Sequence, residues 1–429
     1  MTDTHLRASR NVVKLLKERG FIDSLTTEGF EEIADRPLKI YVGFDPTADS
    51  LHLGNLVGIV LLAWFQRCGH TPVAILGGAT GRIGDPSGKS VERPFLDDET
   101  LKSNIQGIRK NLEAVLDMNH STHKPLILNN NDWFKQIGFI DFLRDIGKLF
   151  RVGPMLSKEM VRTRLASEDG LSFTEFSYQV LQAYDFLHLF DQHEVSVQGG
   201  GSDQWGNITA GTELIRKMRG KTAHGITFPL ITRSDGKKFG KSESGAVWLS
   251  PDKLSPYEFY QYIFRTPDAD VPKLMRMLTF MEMEEIHHYE AMMGASDYIP
   301  NTIQKKLAEE ITRIVHGAAG VEMALRVTAG AAPGAVTELN VQVLESLEMP
   351  KCTLPQGEVV GKKLMELFVS TGLVSSKGEA KRLIQNGGAY LNNYQIKDVE
   401  HVISSADLIE GKLLLLASGK KNKRLVRIE

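Results

Sequence analysis

Cysteine is scarce: the 429 residues hold two, Cys68 and Cys352, far apart in the chain. Neither has a companion at zinc-ligand spacing, and two thiols build no disulfide framework. That excludes a disulfide-stapled secreted scaffold and makes a reducing, cytoplasmic setting the expectation. Long apolar runs are missing too. No segment reaches the roughly 20 residues that span a bilayer. The N-terminal stretch MTDTHLRASRNVVKLLKERGF has no apolar signal core, so no membrane partner is expected. An excess of one charge is also lacking, with 51 Lys and Arg against 53 Asp and Glu. No global field advertises a polyanionic partner, although local basic patches survive in a neutral total. Two common phosphate loops are near misses. Gly88-Lys89-Ser90 would need a glycine at 83 to complete a Walker A loop, where Ile83 stands. GGATGRIG contains no GxGxxG dinucleotide fingerprint.

What remains is an ordinary globular mix, 42% hydrophobic and 24% charged, long enough for two or three domains. Residues 10–19 read as a short amphipathic helix stopped by Gly20. Strands are expected over Lys39–Phe44, Thr71–Leu76, Lys124–Leu128 and Glu194–Val197, the last ending in Gln198-Gly-Gly-Gly201. Helices are expected over Leu51–Cys68, over Asp97–Asp117 and through most of 133–190, and Ser202 is placed to cap the helix after the glycines. Such alternation implies a doubly wound parallel sheet, which binds ligands at the carboxyl ends of its strands. Beyond residue 250 the pattern turns helical, over 256–325. Residues 361–429 then form a separate unit, with twelve Lys and Arg against seven Asp and Glu.

Two short stretches carry chemistry. His52-Leu-Gly-Asn55 sits where a strand turns into a helix, and helix N-termini offer unpaired N–H groups and partial positive charge to phosphate. Gly54 lets a ligand lie against bare backbone, and His52 can donate to a phosphate oxygen. Standing alone, such a histidine is more often a surface or capping residue. Downstream, Asp235-Gly-Lys-Lys-Phe-Gly-Lys-Ser242 pairs Lys238 with Lys241 among glycines, which suits a clamp on a polyphosphate whose charge grows during reaction. The bland reading is a solvated basic loop. Both stretches in this order, around an α/β sheet, favour the catalytic reading.

At this point the chain resembles a known family. HLGN at 52–55 resembles the HIGH signature of class I aminoacyl-tRNA synthetases, and KFGKS at 238–242 their KMSKS loop. YVGFDPTADSLHLGN, GGATGRIGDPSGKS, FTEFSYQVLQAYDF and the Gln198–Gly211 stretch are similar to motifs of bacterial and organellar tyrosyl-tRNA synthetases. The tail stretch SSKGEAKRLIQNGGAYLNN resembles a small RNA-binding module shared with a ribosomal protein. The fold class so implied is α/β. A Rossmann-like catalytic domain over 1–235, with a helical insertion near 120–165, precedes a KFGKS loop and helical domain over 236–330. A linker over 331–357 and a small α+β RNA-binding domain over 358–429 follow.

The resemblance also assigns residues. Tyr41 and Asp185 would hold the phenolic hydroxyl of substrate tyrosine, and Asp85, Tyr178, Gln182 and Gln204 its ammonium and carboxylate ends. Tyr178, Gln182 and Asp185 fall at i, i+4 and i+7, one face of a helix. Gly43, Asp45, Thr47, Gly54, Asn55, Gln198, Gly201 and Asp203 would contact ATP or the adenylate. His52, Lys89, Arg93, Lys238 and Lys241 would serve the phosphates. Asn55 departs from the signature, standing where its second histidine usually is. Lys377, Lys381 and Arg382 would grip RNA phosphate. The implied reaction is two-step: tyrosine and ATP give tyrosyl-adenylate and pyrophosphate, and the tyrosyl group passes to the terminal adenosine of tRNA(Tyr). Mg2+ would accompany ATP without a protein metal site, and a homodimer is implied. The rivals are a tryptophanyl enzyme, a small-molecule nucleotidyltransferase and a non-catalytic RNA-binding protein. Tyr41 with Asp185 argues against the first, since an indole offers one donor and no acceptor. The downstream KFGKS loop and basic tail argue against the second, and retention of His52 and the pocket against the third.

Overall fold

The computed structural model describes the chain except residues 1–9, 88–95, 169, 235, 237–238, 243–244, 331–340, 346–348 and 420–421. It divides into two compact units. One comprises Met1–Leu254 with Ile263–Val315, the other Ser255–Tyr262 with His316–Glu429.

The first unit opens with α1 (Val12–Glu18), capped by the Asn11 side chain and ended by Gly20 at φ +66°. β1 (Ser24–Leu25) and α2 (Phe30–Ile33) lead to β2 (Lys39–Phe44), α3 (Leu56–Arg67) and β3 (Thr71–Leu76). After them come α4 (Asp98–Val115), β4 (Leu126–Asn129) and four short helices: α5 (Asn131–Phe134), α6 (Phe139–Asp145), α7 (Val152–Leu156) and α8 (Glu159–Leu165). The long α9 (Phe173–His193), β5 (Val197–Gly201), α10 (Trp205–Arg219) and β6 (His224–Phe228) complete the sheet layer. β7 (Lys241–Ser242) and β8 (Gly245–Ala246) form a small hairpin.

The sheet runs β1-β6-β5-β2-β3-β4, parallel except for the antiparallel β1 at its edge. β2 is its pivot: the chain moves outward to β3 and β4 on one side, then returns to β5 and β6 on the other. The carboxyl end of β2 is therefore the switch point where open α/β sheets bind ligands. Buried strands that read as continuous apolar runs, such as Val73–Leu76, are what a parallel sheet covered on both faces requires. Tyr41, Val73, Ile75, Phe186, Leu189 and Leu214 belong to the core between this sheet and α9 with α10.

Three local expectations are corrected. The helix expected from Leu51 starts at Leu56, because residues 51–53 instead make a short antiparallel ladder: Leu249 N–H donates to Leu51 O and Leu53 N–H to Val247 O, both at 2.8 Å. The strand expected over Glu194–Val197 instead begins at Val197 and runs through Gly201, every one of its residues paired to β6, while Glu194 caps α9 in a left-handed conformation. Ser202 does not cap α10. It begins a 3-10 turn, Ser202–Gln204, and Gln204 occupies the cap position without a side-chain bond.

α11 (Pro256–Phe264), α12 (Val271–Leu278), α13 (Met283–Met293) and α14 (Thr302–Gly330) bear out the helical pattern beyond 250. The second unit adds α15 (Val341–Glu345), β9 (Lys351–Leu354), α16 (Leu364–Ser370), α17 (Lys377–Gln385) and β10 (Ala389–Leu391). β11 (Tyr394–Gln395), β12 (Leu413–Ser418) and β13 (Asn422–Ile428) finish it, in a five-stranded sheet of order β11-β10-β12-β13-β9. The helices pack on that sheet through Leu364, Phe368, Ala380, Ile384, Leu414 and Val426. Among the described residues no helix is long and apolar enough to cross a membrane.

Candidate active site

The switch point collects most of the described site residues. β2 presents Tyr41, 2% exposed, whose hydroxyl has no hydrogen-bond partner. Burial raises its pKa well above the usual phenol range, and the charge of Asp185 raises it further. Asp185 projects from α9 into the same region. Its Oδ1 accepts from Trp133 Nε1 at 2.8 Å and its Oδ2 from Asn130 Nδ2 at 3.0 Å. Burial lifts its pKa to about 7, against the pull of those two donors. A buried hydroxyl without a partner and a buried carboxylate are thus both found in this part of the core.

Above it run two hydrogen-bonded chains. In the first, Asn130 also donates to Thr80 Oγ1 (2.9 Å), and the Thr80 hydroxyl donates to Asp45 Oδ1 (2.8 Å). The Tyr178 hydroxyl donates to Asp45 Oδ2 (2.9 Å). Gly77, at the end of β3, makes this meeting possible, because a Cβ there would lie 2.1 Å from Asp45 Oδ1. In the second chain, Gln204 Nε2 donates to Asp85 Oδ2 at 2.8 Å, while Asn207 Nδ2 donates to Gln204 Oε1 and Gln182 Oε1, each at 3.2 Å. Asp85, Gln182 and Gln204 are thereby joined through Asn207 into one polar wall, while Tyr178 belongs to the first chain. The Asp85 carboxylate in that wall suits an ammonium group.

Nearby, Gly43, next to the end of β2, has open space where a Cβ would stand, so a ring can lie against its backbone. Thr47 is exposed, and its N–H donates to Asp45 O at 2.9 Å. His52 is half-buried. Its Nδ1 accepts from Gly54 N–H at 3.1 Å, and its own N–H donates to Asn55 Oδ1 at 3.1 Å. Nδ1 is thereby an acceptor, which puts the ring proton on Nε2. The side-chain oxygen of Asn55 is committed to this turn. The 247–249 ladder continues to the lysine loop: Val247 N–H donates to Gly240 O at 2.9 Å, and the Trp248 ring lies 6.5 Å from that of His52. The two motifs read from the sequence meet here.

Gln198 is buried on β5, paired in register with Tyr41, and its Oε1 has no hydrogen-bond partner. Gly201 is buried at the end of β5 and Asp203 is exposed beside it. Lys89, Arg93 and Lys238 lie outside the described residues, as does the side chain of Lys241. Sequence reading missed Thr80, Asn130, Trp133 and Asn207, which hold the pocket carboxylates and amides. The Asn129-Asn-Asn131 run after a strand signalled a turn, but nothing tied it to Asp185. Among the described residues no group of three His, Cys, Asp or Glu side chains is arranged to hold a metal ion.

In the second unit, Ser376 caps α17 by accepting from Glu379 N–H at 3.2 Å. Ala380 and Ile384 face the core, while Lys377, Lys381 and Arg382 are exposed. Lys377 pairs with Glu366 at 2.7 Å.

Comparison with known proteins adds direct findings. The family described as tRNA synthetases class I (W and Y) matches residues 34–330, more than half of the chain. The family described as the tyrosine–tRNA ligase SYY-like C-terminal domain matches residues 342–426. The chain is similar to the tyrosine–tRNA ligase of Protochlamydia amoebophila, 62% identical over 420 residues, which cover 97% of this chain and 99% of that one. It is 52% identical to the chloroplastic/mitochondrial tyrosine–tRNA ligase of Arabidopsis thaliana, over 97% of this chain and 84% of the relative. Among solved structures, a C-terminally truncated mitochondrial tyrosyl-tRNA synthetase of Coccidioides posadasii superposes with a TM-score of 0.63 at 31% identity, covering 75% of this chain and 94% of its own.

Proposed function

The chain belongs to the class I tRNA synthetases of the tryptophan and tyrosine group, and from that premise we infer that it activates tyrosine with ATP and transfers it to tRNA(Tyr). The observation that carries the tyrosine assignment is the pocket floor. The Tyr41 hydroxyl is buried without a hydrogen-bond partner, and Asp185 is a buried carboxylate whose charge raises the Tyr41 pKa further. A phenol can bond to both; phenylalanine would leave the buried Tyr41 hydroxyl without a partner, which is costly.

The polar wall takes the rest of the amino acid. Asp85, Tyr178 and Gln182 receive the ammonium group and Gln204 lies toward the carboxylate. ATP enters as its Mg2+ complex, the ion carried mainly by phosphate and water oxygens. The adenosine lies along Gly43, Asp45, Thr47 and Gly54, with Gln198, Gly201 and Asp203 on the facing side. Asn55 reaches the nucleotide with its amide NH2, because its oxygen is used by His52. The tyrosine carboxylate attacks the α-phosphorus and pyrophosphate leaves. His52 donates through Nε2 to the phosphate oxygens. Lys89, Arg93, Lys238 and Lys241 balance the charge that builds on the leaving pyrophosphate. No side-chain nucleophile takes part, so the acceleration comes from alignment and charge stabilisation. The terminal adenosine hydroxyl of tRNA then attacks the acyl carbon, the acyl–phosphate bond breaks and AMP leaves, while Lys377, Lys381 and Arg382 hold RNA phosphate.

The working assembly is a homodimer. Phe139, Ile140, Val152 and Leu165 on the short helices after β4, with Phe173 at the start of α9, are exposed by 50 to 71%, and exposed apolar residues in such number suit a subunit interface. The working compartment is the cytoplasm, supported by a chain with only two cysteines. Pyrophosphate exchange into ATP, scanned over the amino acids, tests the activity: exchange with tyrosine alone is expected, and exchange with tryptophan or with none refutes it. Sedimentation of the protein tests the dimer, with a monomer at micromolar concentration as the refuting result.

A further inference from the structure

α9 grips Trp133 in two ways. Asp185 accepts the indole N–H at 2.8 Å. Three residues on, the imidazole of His188 lies flat on the indole, with ring centroids 4.4 Å apart and planes 18° apart. That spacing puts Asp185 and His188 one above the other on the helix. An indole N–H points in the plane of its ring, so the bond to Asp185 lasts only while that plane is correctly turned. Rotation about Cβ–Cγ would swing the donor away. The stacked ring opposes the rotation. Tyr184, 6.4 Å from His188, packs in turn against Phe134 and Phe142 at 5.5 and 5.6 Å, which braces the cluster. Burial lowers the pKa of His188, with His193 adding to the effect and Asp191 opposing it.

We propose that His188 is a positioning residue for the choice of amino acid: its stack fixes the indole plane of Trp133, and through it the Asp185 carboxylate that receives the substrate phenol. This rests on Asp185 being the phenol ligand. His188 acts only through Trp133, so its loss blurs the distinction between tyrosine and phenylalanine without touching the phosphate chemistry.

The test compares kcat/KM for adenylate formation with tyrosine and with phenylalanine in the full-length protein. His188→Ala and His188→Leu, the latter keeping the volume without an aromatic face, are expected to lower the tyrosine-to-phenylalanine ratio roughly threefold to tenfold, the scale of an aromatic pair. The loss should fall on KM for tyrosine and leave the values for phenylalanine alone. His188→Phe should restore the ratio. An unchanged ratio, equal losses for both amino acids, or no rescue by phenylalanine overturns the proposal. Asp185→Asn is measured beside them. If it leaves the ratio intact, the pocket assignment itself fails. If it collapses the ratio while the His188 variants do not, only the role of His188 fails.

Discussion

Gly240 stands so close to Gly54 that a Cβ on it would lie 2.8 Å from the Gly54 amide nitrogen. Its φ of +87° is itself a conformation that suits glycine. Two motifs almost 190 residues apart thus touch backbone to backbone, and the ladder from Leu51 through Val247 to Gly240 holds them in register. Gly240→Ala must both strain the left-handed backbone and push the loop from the helix start. The strain alone is worth about 1–2 kcal/mol, so adenylate formation should slow by roughly a factor of ten. Tyrosine binding, at the far side of the pocket, should stay within about twofold. Stopped-flow adenylate formation and equilibrium dialysis read the two effects separately. A loss confined to tyrosine binding would contradict the coupling.

Asp185 predicts a pH dependence. Its folded pKa, lifted by burial to about 7, lies above the ordinary 3.8. The folded protein therefore holds this proton more tightly than the unfolded chain. The contribution to stability is full below about 4, is lost as pH rises through 7, and stays lost above it. Relative to wild type, Asp185→Asn should gain stability as pH rises from 4 to 7, by no more than a few kcal/mol at 1.36 per unit. Selectivity should move the other way. The ionised carboxylate accepts the stronger hydrogen bond, so the tyrosine-to-phenylalanine ratio should climb between pH 6 and 8. A flat ratio would mean that Asp185 does not titrate in the complex.

The strands at Lys39–Phe44 and Thr71–Leu76 were legible to the residue, because β-branched and apolar runs between turn residues have few other fates. The family resemblance singled out Tyr178, Gln182 and Asp185, and their spacing agrees with a shared place on α9. What holds those side chains was not legible. Trp133 and Asn130 reach Asp185 across more than fifty residues, and a donor's partner at that separation leaves no periodic trace. The false helix start at Leu51 has a similar cause: the ladder that overrides it is supplied by residues 247–249. Local pattern fixed the elements, and long-range polar pairing fixed the site.

Arg164 and Glu175 predict a stability effect away from the chemistry. They form a two-pronged pair at 3.0 and 2.7 Å, with side chains 3% and 2% exposed, and Arg164 also donates to Gly170 O. The pair pins α8 to the first turn of α9. Glu175→Ala leaves a buried guanidinium uncompensated, which should destabilise the protein by about 3–5 kcal/mol. Replacing both partners, Arg164→Met with Glu175→Leu, should recover much of that loss, because no charge is then stranded. Urea unfolding of the two variants decides it. A double variant no more stable than the single one would show that packing, not charge, governs the site.

The exposed face of α17 should not bind RNA uniformly. Lys381 and Arg382 are exposed, whereas Lys377 is already paired with Glu366. A phosphate must displace Glu366 to reach Lys377, and that exchange offsets part of the gain. Each phosphate contact removed should flatten the dependence of log affinity on log salt by about 1. Lys381→Gln with Arg382→Gln should therefore reduce the slope by about 2, and Lys377→Gln by clearly less than 1. Glu366→Gln frees Lys377 and should tighten binding slightly while steepening the slope. Filter binding of tRNA between 50 and 200 mM salt, a range over which such contacts dominate affinity, measures all three. Equal slopes in wild type and the double variant would remove this helix face from the RNA interface.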